Sequence, residues 1–324
     1  MQPASLSSSS GARDAHAGTV VVTGICGNLG RRVARALHRR FPVIGLDRRP
    51  FPGRPRDVEH VELELRSRRV DEVFRQNRVM TLVHLGVRHN LRDKDPAHHT
   101  FNVQAFRRLT ELVERYGVKK LIYLSSANVY GPRPDNPQLL TEEAPLLGAA
   151  PFSEIGDLVE LDMWAQSFLW QRPDVETVIL RPSHILGTVR NAPSNYLRLP
   201  VVPTLLGFDP MVQLVHQDDV VLAIELVCRK GARGVFNIAG PPPIALSQAV
   251  EGLGRKRVSV PTSLARAGVR RLFRWHLTSF PAPELDFIRY VCMVDDSRAR
   301  RELGYAPRRG LDATLRAVDE ERWV

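Results

Sequence analysis

The stretch Thr23-Gly24-Ile25-Cys26-Gly27-Asn28-Leu29-Gly30 holds three glycines in the spacing G-x-x-G-x-x-G. Gly24 permits a tight turn, Gly27 lets backbone approach a pyrophosphate, and Gly30 lets the following helix pack closely on a sheet. The N-terminus of that helix offers unpaired N–H groups and a positive dipole end to a diphosphate. Cys26, Asn28 and Leu29 lie within the same loop. A β-branched run, Thr19–Thr23, precedes it, and Asp47 closes the next one, Val43-Ile44-Gly45-Leu46. A strand, a glycine turn, a helix and an acidic residue about 20 positions on form the setting that dinucleotide binding requires. Asp47 is placed to accept the hydroxyls of an adenosine ribose, which favours NAD. Arg48 and Arg49 follow at once and would meet a 2′-phosphate if Asp47 turned away, so NADP is the second choice.

Other chemistries find less support. Cys26, Cys228 and Cys292 lie far apart, and no Cys/His cluster has zinc spacing. Neither a disulfide framework nor a metal is expected, and a reducing cytoplasm fits. The 46 Lys and Arg against 35 Asp and Glu leave a charge of +11. That excess is almost all Arg, spread from Arg13 to Arg322 without a stripe of interleaved aromatics, so nucleic acid is not an expected partner. No apolar run approaches the ~20 residues of a membrane span. Residues 1–18 are rich in Ser and Ala and lack a basic stretch followed by an apolar one; they read as a disordered tail rather than a secretory signal.

The 324 residues suffice for about two domains. Short apolar runs at 19–23, 43–47, 58–63, 81–85, 121–125 and 175–180 alternate with helical patterns at 29–40, 69–76, 96–116 and 157–170. Strands alternating with crossover helices predict a doubly wound, parallel α/β sheet of Rossmann type. Beyond Arg181 the pattern gives way to Pro-rich segments at 200–210 and 241–243. The expected division is a dinucleotide-binding domain over 19–180 and a smaller mixed substrate lobe over 181–324, with segments returning to the main sheet.

With these residues in place, the chain resembles the extended short-chain dehydrogenase/reductase family, in its NAD-dependent epimerase/dehydratase group, which includes the UDP-glucose 4-epimerases. The resemblance rests on TGICGNLG at 23–30, HLGV at 84–87, Asn102, LSSANVYG at 124–131, LRPSHILG at 180–187, VHQDDV at 215–220 and DSRARRELGY at 296–305. It implies that Leu65, Leu85, Gly86, Val87, Asn102, Ser125 and Ser183 border the cofactor. It also implies that Ser126, Asn128, Asn195 and Gln213 face a small-molecule substrate, and that two copies pair through the helices at 96–116 and 157–170.

The family's chemistry uses a Ser, a Tyr and a Lys, the Lys bringing the Tyr into a range where it exchanges protons. Ser126 stands at the Ser position. Phe152 stands at the Tyr position and Gly156 at the Lys position, so the proton and the cation are both missing. Val212 stands about where nucleotide-sugar enzymes carry an Arg for the diphosphate. Three readings follow. The first is hydride transfer at a carbinol or carbonyl, on a nucleotide sugar or a more apolar alcohol or ketone. The second is a silenced, NAD-binding regulatory protein. The third is a non-redox enzyme with His184 or Glu154 as acid or base, His184 having an imidazole that ordinarily titrates near neutrality. The Arg-rich, apolar stretch 264–280 suits a surface helix, a lid, a dimer contact or contact with a membrane surface.

Overall fold

The computed structural model describes residues 18–86, 96–149, 155–189, 191–229, 231–274 and 282–323. The β-branched runs form β1 (Thr19–Thr23), β2 (Val43–Asp47), β3 (Val58–Glu62), β4 (Val79–His84), β5 (Lys120–Leu124) and β6 (Glu176–Pro182). Between them lie α1 (Asn28–Leu37), α2 (Arg69–Gln76), α3 (Pro96–Arg115) and α4 (Gly156–Gln171). After β6 come β7 (His184–Leu186), α5 (Ala192–Leu197), β8 (Val201–Leu205), β9 (Met211–Val212) and β10 (Leu214–His216). Then follow α6 (Gln217–Arg229), β11 (Gly234–Ile238), β12 (Ile244–Ala245), α7 (Leu246–Gly252), β13 (Lys256–Val260), α8 (Thr262–Arg274) and α9 (Leu311–Arg316).

The main sheet runs β11-β6-β5-β4-β1-β2-β3, every neighbouring pair parallel. The order reverses between β1 and β4, and in such sheets ligands bind outside the C-terminal strand ends at that crossing. Alternate residues supply the two faces. Val20, Val22, Val83, Ile122 and Val178 meet α1 and α6, while Val21, Leu82, Leu121, Tyr123 and Ile179 meet α2, α3 and α4. Both faces are therefore dry, which is why the strands read as nearly unbroken apolar runs. The chain returns to this sheet at β11, on the free edge of β6.

The remaining segments build three small sheets, β7 with β10, β8 with β13, and β9 with β12, around Tyr196, Leu197, Val202, Leu205, Leu246 and Val250. From the Arg-rich stretch, α8 lays Ala265 and Val269 on this core and leaves Leu264 exposed. Residues 275–280 lie outside the described ones. No helix among the described residues is long and apolar enough to cross a membrane.

An ion pair is wholly buried between β6 and α4. Arg181 on β6 donates to both carboxylate oxygens of Asp162 on α4, at 2.9 and 2.6 Å, with neither side chain reaching solvent. Ser125 at the end of β5 donates to the same carboxylate at 2.5 Å. Arg181 also donates to the Tyr130 hydroxyl at 2.7 Å, which donates to Asn237 of β11 at 2.8 Å. An ion pair so enclosed is held in place by the cost of stripping one partner. Asp162→Ala is expected to lose about 3–5 kcal/mol of stability, measured by urea unfolding. Arg181→Met/Asp162→Leu, which removes both charges, is expected to lose much less. A loss below about 1 kcal/mol in the single variant would show that the pair behaves as an exposed one.

Candidate functional site

Steric closeness shapes the turn after β1. Gly24 has φ +72°, and a Cβ there would come within 2.8 Å of the Gly86 Cα. A Cβ at Gly30 would sit 2.3 Å from the Gly24 carbonyl oxygen, and one at Gly86 would lie 3.2 Å from Leu65 Cδ1. Gly27 N–H donates to the Gly24 carbonyl at 3.0 Å, and α1 begins at Asn28. The bare backbone at 24, 27, 30 and 86 thus forms one cradle at the β1–β4 crossing, with Leu65 buried beside it and Leu85 half-buried. Below it Thr23 and His84 share a 2.7 Å hydrogen bond. The His84 ring stacks on Phe106 at 5.0 Å. Burial pushes its pKa down to about 3, so it is neutral and serves as a strut.

Asp47 ends β2 beside this cradle. Its carboxylate accepts from the Cys26 N–H at 3.1 Å and from the Arg49 N–H at 3.0 Å. The Arg49 guanidinium adds bonds at 3.2 and 3.3 Å. Burial alone would raise the Asp47 pKa, but the hydrogen bonds and charge of Arg49 outweigh it and hold the carboxyl below its usual range. The cation that meets Asp47 is Arg49; Arg48, in the next position back, is simply exposed. A turn that brings residue 49 over its own neighbour two places back leaves residue 48 facing outward. Cys26 Sγ donates to the Arg49 carbonyl at 3.1 Å, and burial pushes the thiol up to about 11. Asn28 donates its side-chain amide to the Thr188 carbonyl, tying the loop to the segment after β7.

The C-terminal ends of β5 and β6 carry the next group. Ser126 caps a short 3-10 turn at 127–129, accepting from the Asn128 N–H at 3.2 Å. Ser125 turns inward to Asp162. Asn102, buried on α3, donates to Asp157 in the first turn of α4 at 3.0 Å. Gly156 opens that helix, and a Cβ built on it meets nothing within 4 Å. Ser183 is buried, and its hydroxyl has no hydrogen-bond partner among the described residues.

His184 and Asn128 border a small cavity of about 60 Å³ whose other walls are Pro193, Tyr196, Leu197, Val212, Leu214, Leu246, Phe287 and Ile288. Burial lowers the His184 pKa to about 4, and its ring meets the Phe287 ring edge-on at 5.8 Å. Two residues expected at the substrate lie elsewhere. Gln213 is buried with both ends of its amide on the backbone of Val294, each bond 2.9 Å, so it fastens two segments. Asn195 is exposed on α5 and accepts from Arg198 at 3.0 Å. Val87, Phe152 and Glu154 lie outside the described residues.

A family model described as the NAD dependent epimerase/dehydratase family matches residues 20–239, which run from β1 through β11. The chain belongs to this family. A Mycobacterium tuberculosis protein, the uncharacterized Rv0501, is 29% identical over 89% of this chain and 80% of its own. The UDP-glucose 4-epimerase of Bacillus subtilis is 24% identical over 91% of this chain and 87% of its own. Among solved structures, the dTDP-glucose 4,6-dehydratase of Bacillus anthracis in complex with NAD superposes with a TM-score of 0.72. It is 20% identical and covers 95% of this chain and 98% of its own.

Within this family frame, Asn191 and Gln217 escaped the sequence reading, whereas Asp157 was readable near the start of its helix. Asp157 is an acidic residue in the first turn of α4, and the helix dipole favours one there. Asn191 caps α5, accepting from the Ser194 N–H at 2.9 Å and donating to the Ile185 carbonyl at 2.7 Å. Its signal was present as Asn two residues before Pro193 at a helix start. Gln217 is buried and accepts from the Thr188 N–H and hydroxyl, both at 3.0 Å; no local pattern announces it. The two glycines 30 and 156 make opposite predictions. Gly30→Ala is expected to melt well below the parent, because its Cβ would press on backbone. Gly156→Ala is expected to keep or raise the melting temperature, Ala being up to about 1 kcal/mol better in a helix. Differential scanning fluorimetry of both variants checks the contrast, and equal losses would contradict the cradle.

Proposed function

We propose that this chain is an NAD(H)-binding, epimerase/dehydratase-like oxidoreductase acting at a carbinol or carbonyl of a small molecule beside Ser126, Asn128 and His184. The cradle of bare backbone at the β1–β4 crossing, answered by the anionic Asp47, is the observation that carries this reading. Those groups fit a dinucleotide: the backbone at Gly24 and Gly30 is packed too closely to carry a Cβ, and the Ser183 hydroxyl is buried without a partner among the described residues. Gly24, Gly27, Gly30 and the start of α1 would hold the diphosphate, and Asp47 the adenosine ribose. When bound, the nicotinamide supplies a hydride acceptor or donor. That the B. anthracis dehydratase was solved with NAD supports the choice of cofactor.

The chain's own residues orient and exclude. Ser126 places a hydroxyl at the end of β5 for the reacting oxygen. His184 stays neutral through the neutral pH range, because burial holds its pKa near 4. It can receive a proton or share a hydrogen bond but offers no resting charge. Phe152 and Gly156 add neither an exchangeable proton nor a cation, so turnover without them is slow. On α4, Met163 and Trp170 are exposed apolar groups suited to pairing with a second copy.

The test begins with the purified protein, denatured and its released small molecules identified by mass spectrometry. NAD is expected; an extract without dinucleotide, followed by no uptake of NAD or NADP, would overturn the proposal. Any co-released alcohol or ketone then serves as substrate for Phe152→Tyr/Gly156→Lys. Restoring acid/base chemistry is expected to raise turnover by about 10²–10⁴-fold, and the open space at 156 leaves room for the new side chain.

A further inference from the structure

The positive charge of this chain is unevenly spread. Residues 252–283 hold seven Lys and Arg and no Asp or Glu, against a net charge of +11 for the whole sequence. The same segment forms β13 and α8. Along β8, the strand paired with β13, Val201 and Pro203 are exposed while Val202 and Thr204 are buried. Alternate residues face opposite ways, and the parallel register sets Lys256 beside Val201 and Val258 beside Pro203. Both of those partners are exposed as well, so one sheet face presents two valines, a proline and a lysine to solvent. Leu206 follows β8 and is 60% exposed; its N–H donates to the Val260 carbonyl at 2.9 Å, beside the turn from which α8 starts. On α8, Ala265 and Val269 pack on the lobe. Leu264, Ala267 and Arg271, spaced by three and then four residues, share another side of the helix and are exposed.

We propose that this surface of the small lobe, β8 with β13 and α8, docks on a membrane that carries anionic lipids. Arg255 and Arg266 are paired with Asp319 and Asp286. The attraction therefore rests chiefly on Lys256, Arg257 and Arg271, which are exposed. Cations so grouped are drawn to a negative headgroup layer, and the exposed leucines and valines among them gain by entering its acyl boundary. A nucleic acid would satisfy the cations but not the aliphatic groups. A second copy of this chain would bring the same positive charge against its like. Lys256 and Arg257 also lie on a strand that ends its sheet, where such charges discourage addition of a further strand. None of these residues belongs to the glycine cradle, so docking leaves the candidate cofactor site untouched.

Co-sedimentation of the full chain with vesicles tests this, using phosphatidylcholine alone and phosphatidylcholine with about a third phosphatidylglycerol. Binding to the anionic vesicles is expected to be about tenfold tighter or more, and to weaken as salt rises from about 0.1 to about 0.5 M. Lys256→Glu/Arg257→Glu is expected to weaken it by about tenfold or more. Leu206→Ser/Leu264→Ser, which leaves the charge alone, is expected to weaken it by about tenfold as well. Arg35→Glu/Arg39→Glu, the same charge change on two exposed arginines of the main domain, is expected to bind as the parent does. Unchanged melting temperatures show that the variants fold. Equal binding of the parent to both vesicles, or to neither, would overturn the proposal. So would equal losses from the two charge reversals, which would assign the effect to overall charge. Undiminished binding by the serine variant would overturn it too, making the surface a general polyanion site. A dimer that the serine changes turn into a monomer, with vesicles ignored, would give the surface to a second copy instead.

Discussion

The backbone of Gly24 lies so close to that of Gly86 that no side chain fits between them, and this contact sets the candidate site. It joins the turn after β1 to the end of β4, where the strand order of the sheet reverses. From there α1 starts with its N–H groups free, and Asp47 arrives at the end of the adjacent strand. The Thr23–His84 hydrogen bond and the stack of His84 on Phe106 brace the contact from beneath. The result is a surface of bare backbone with one buried anion at its edge. Arg49 balances that anion while leaving much of its own side chain, 56% of it, in solvent. When the pair opens toward a ribose, the buried carboxylate keeps the N–H bonds of Cys26 and Arg49.

A second constraint links this half to the substrate side. Arg181 and Asp162 hold β6 and α4 together in the dark interior, and their polar neighbours reach Ser125, Tyr130 and Asn237. Ser126 follows Ser125 directly, and Ser183 and His184 follow Arg181 after one proline. Ser126, Ser183 and His184 are thus anchored one to three positions away in a network with few alternative arrangements. Such networks cost stability when broken and fix geometry when whole. Here rigidity is placed where a substrate oxygen would be oriented.

Much of this organisation was legible in the residues. The α2 bounds, 69–76, agree with the observed helix, and β1, β2, β5 and β6 fall within a residue or two of their expected ends. The glycine spacing and Asp47 were readable because a turn and a strand end are local. The bonds of Gln213 to Val294 were not readable, because that partner is 81 residues away. Asn195 sits on a short helix whose facing depends on the Asn191 cap. Arg48 was offered with Arg49 because sequence alone does not say which way each side of the turn points. The apolar character of the cavity was also hidden, since its walls come from β9, β10, α5, α7 and the segment at 282–288.

The central claim is that the β1–β4 crossing holds NAD through bare backbone and Asp47. Isothermal titration of NAD⁺ and NADP⁺ into the dinucleotide-free protein measures this most directly. Saturable binding of NAD⁺ is predicted, with NADP⁺ at least tenfold weaker, a difference of about 1.4 kcal/mol or more. Heat from neither nucleotide, or tighter binding of NADP⁺, would contradict the account.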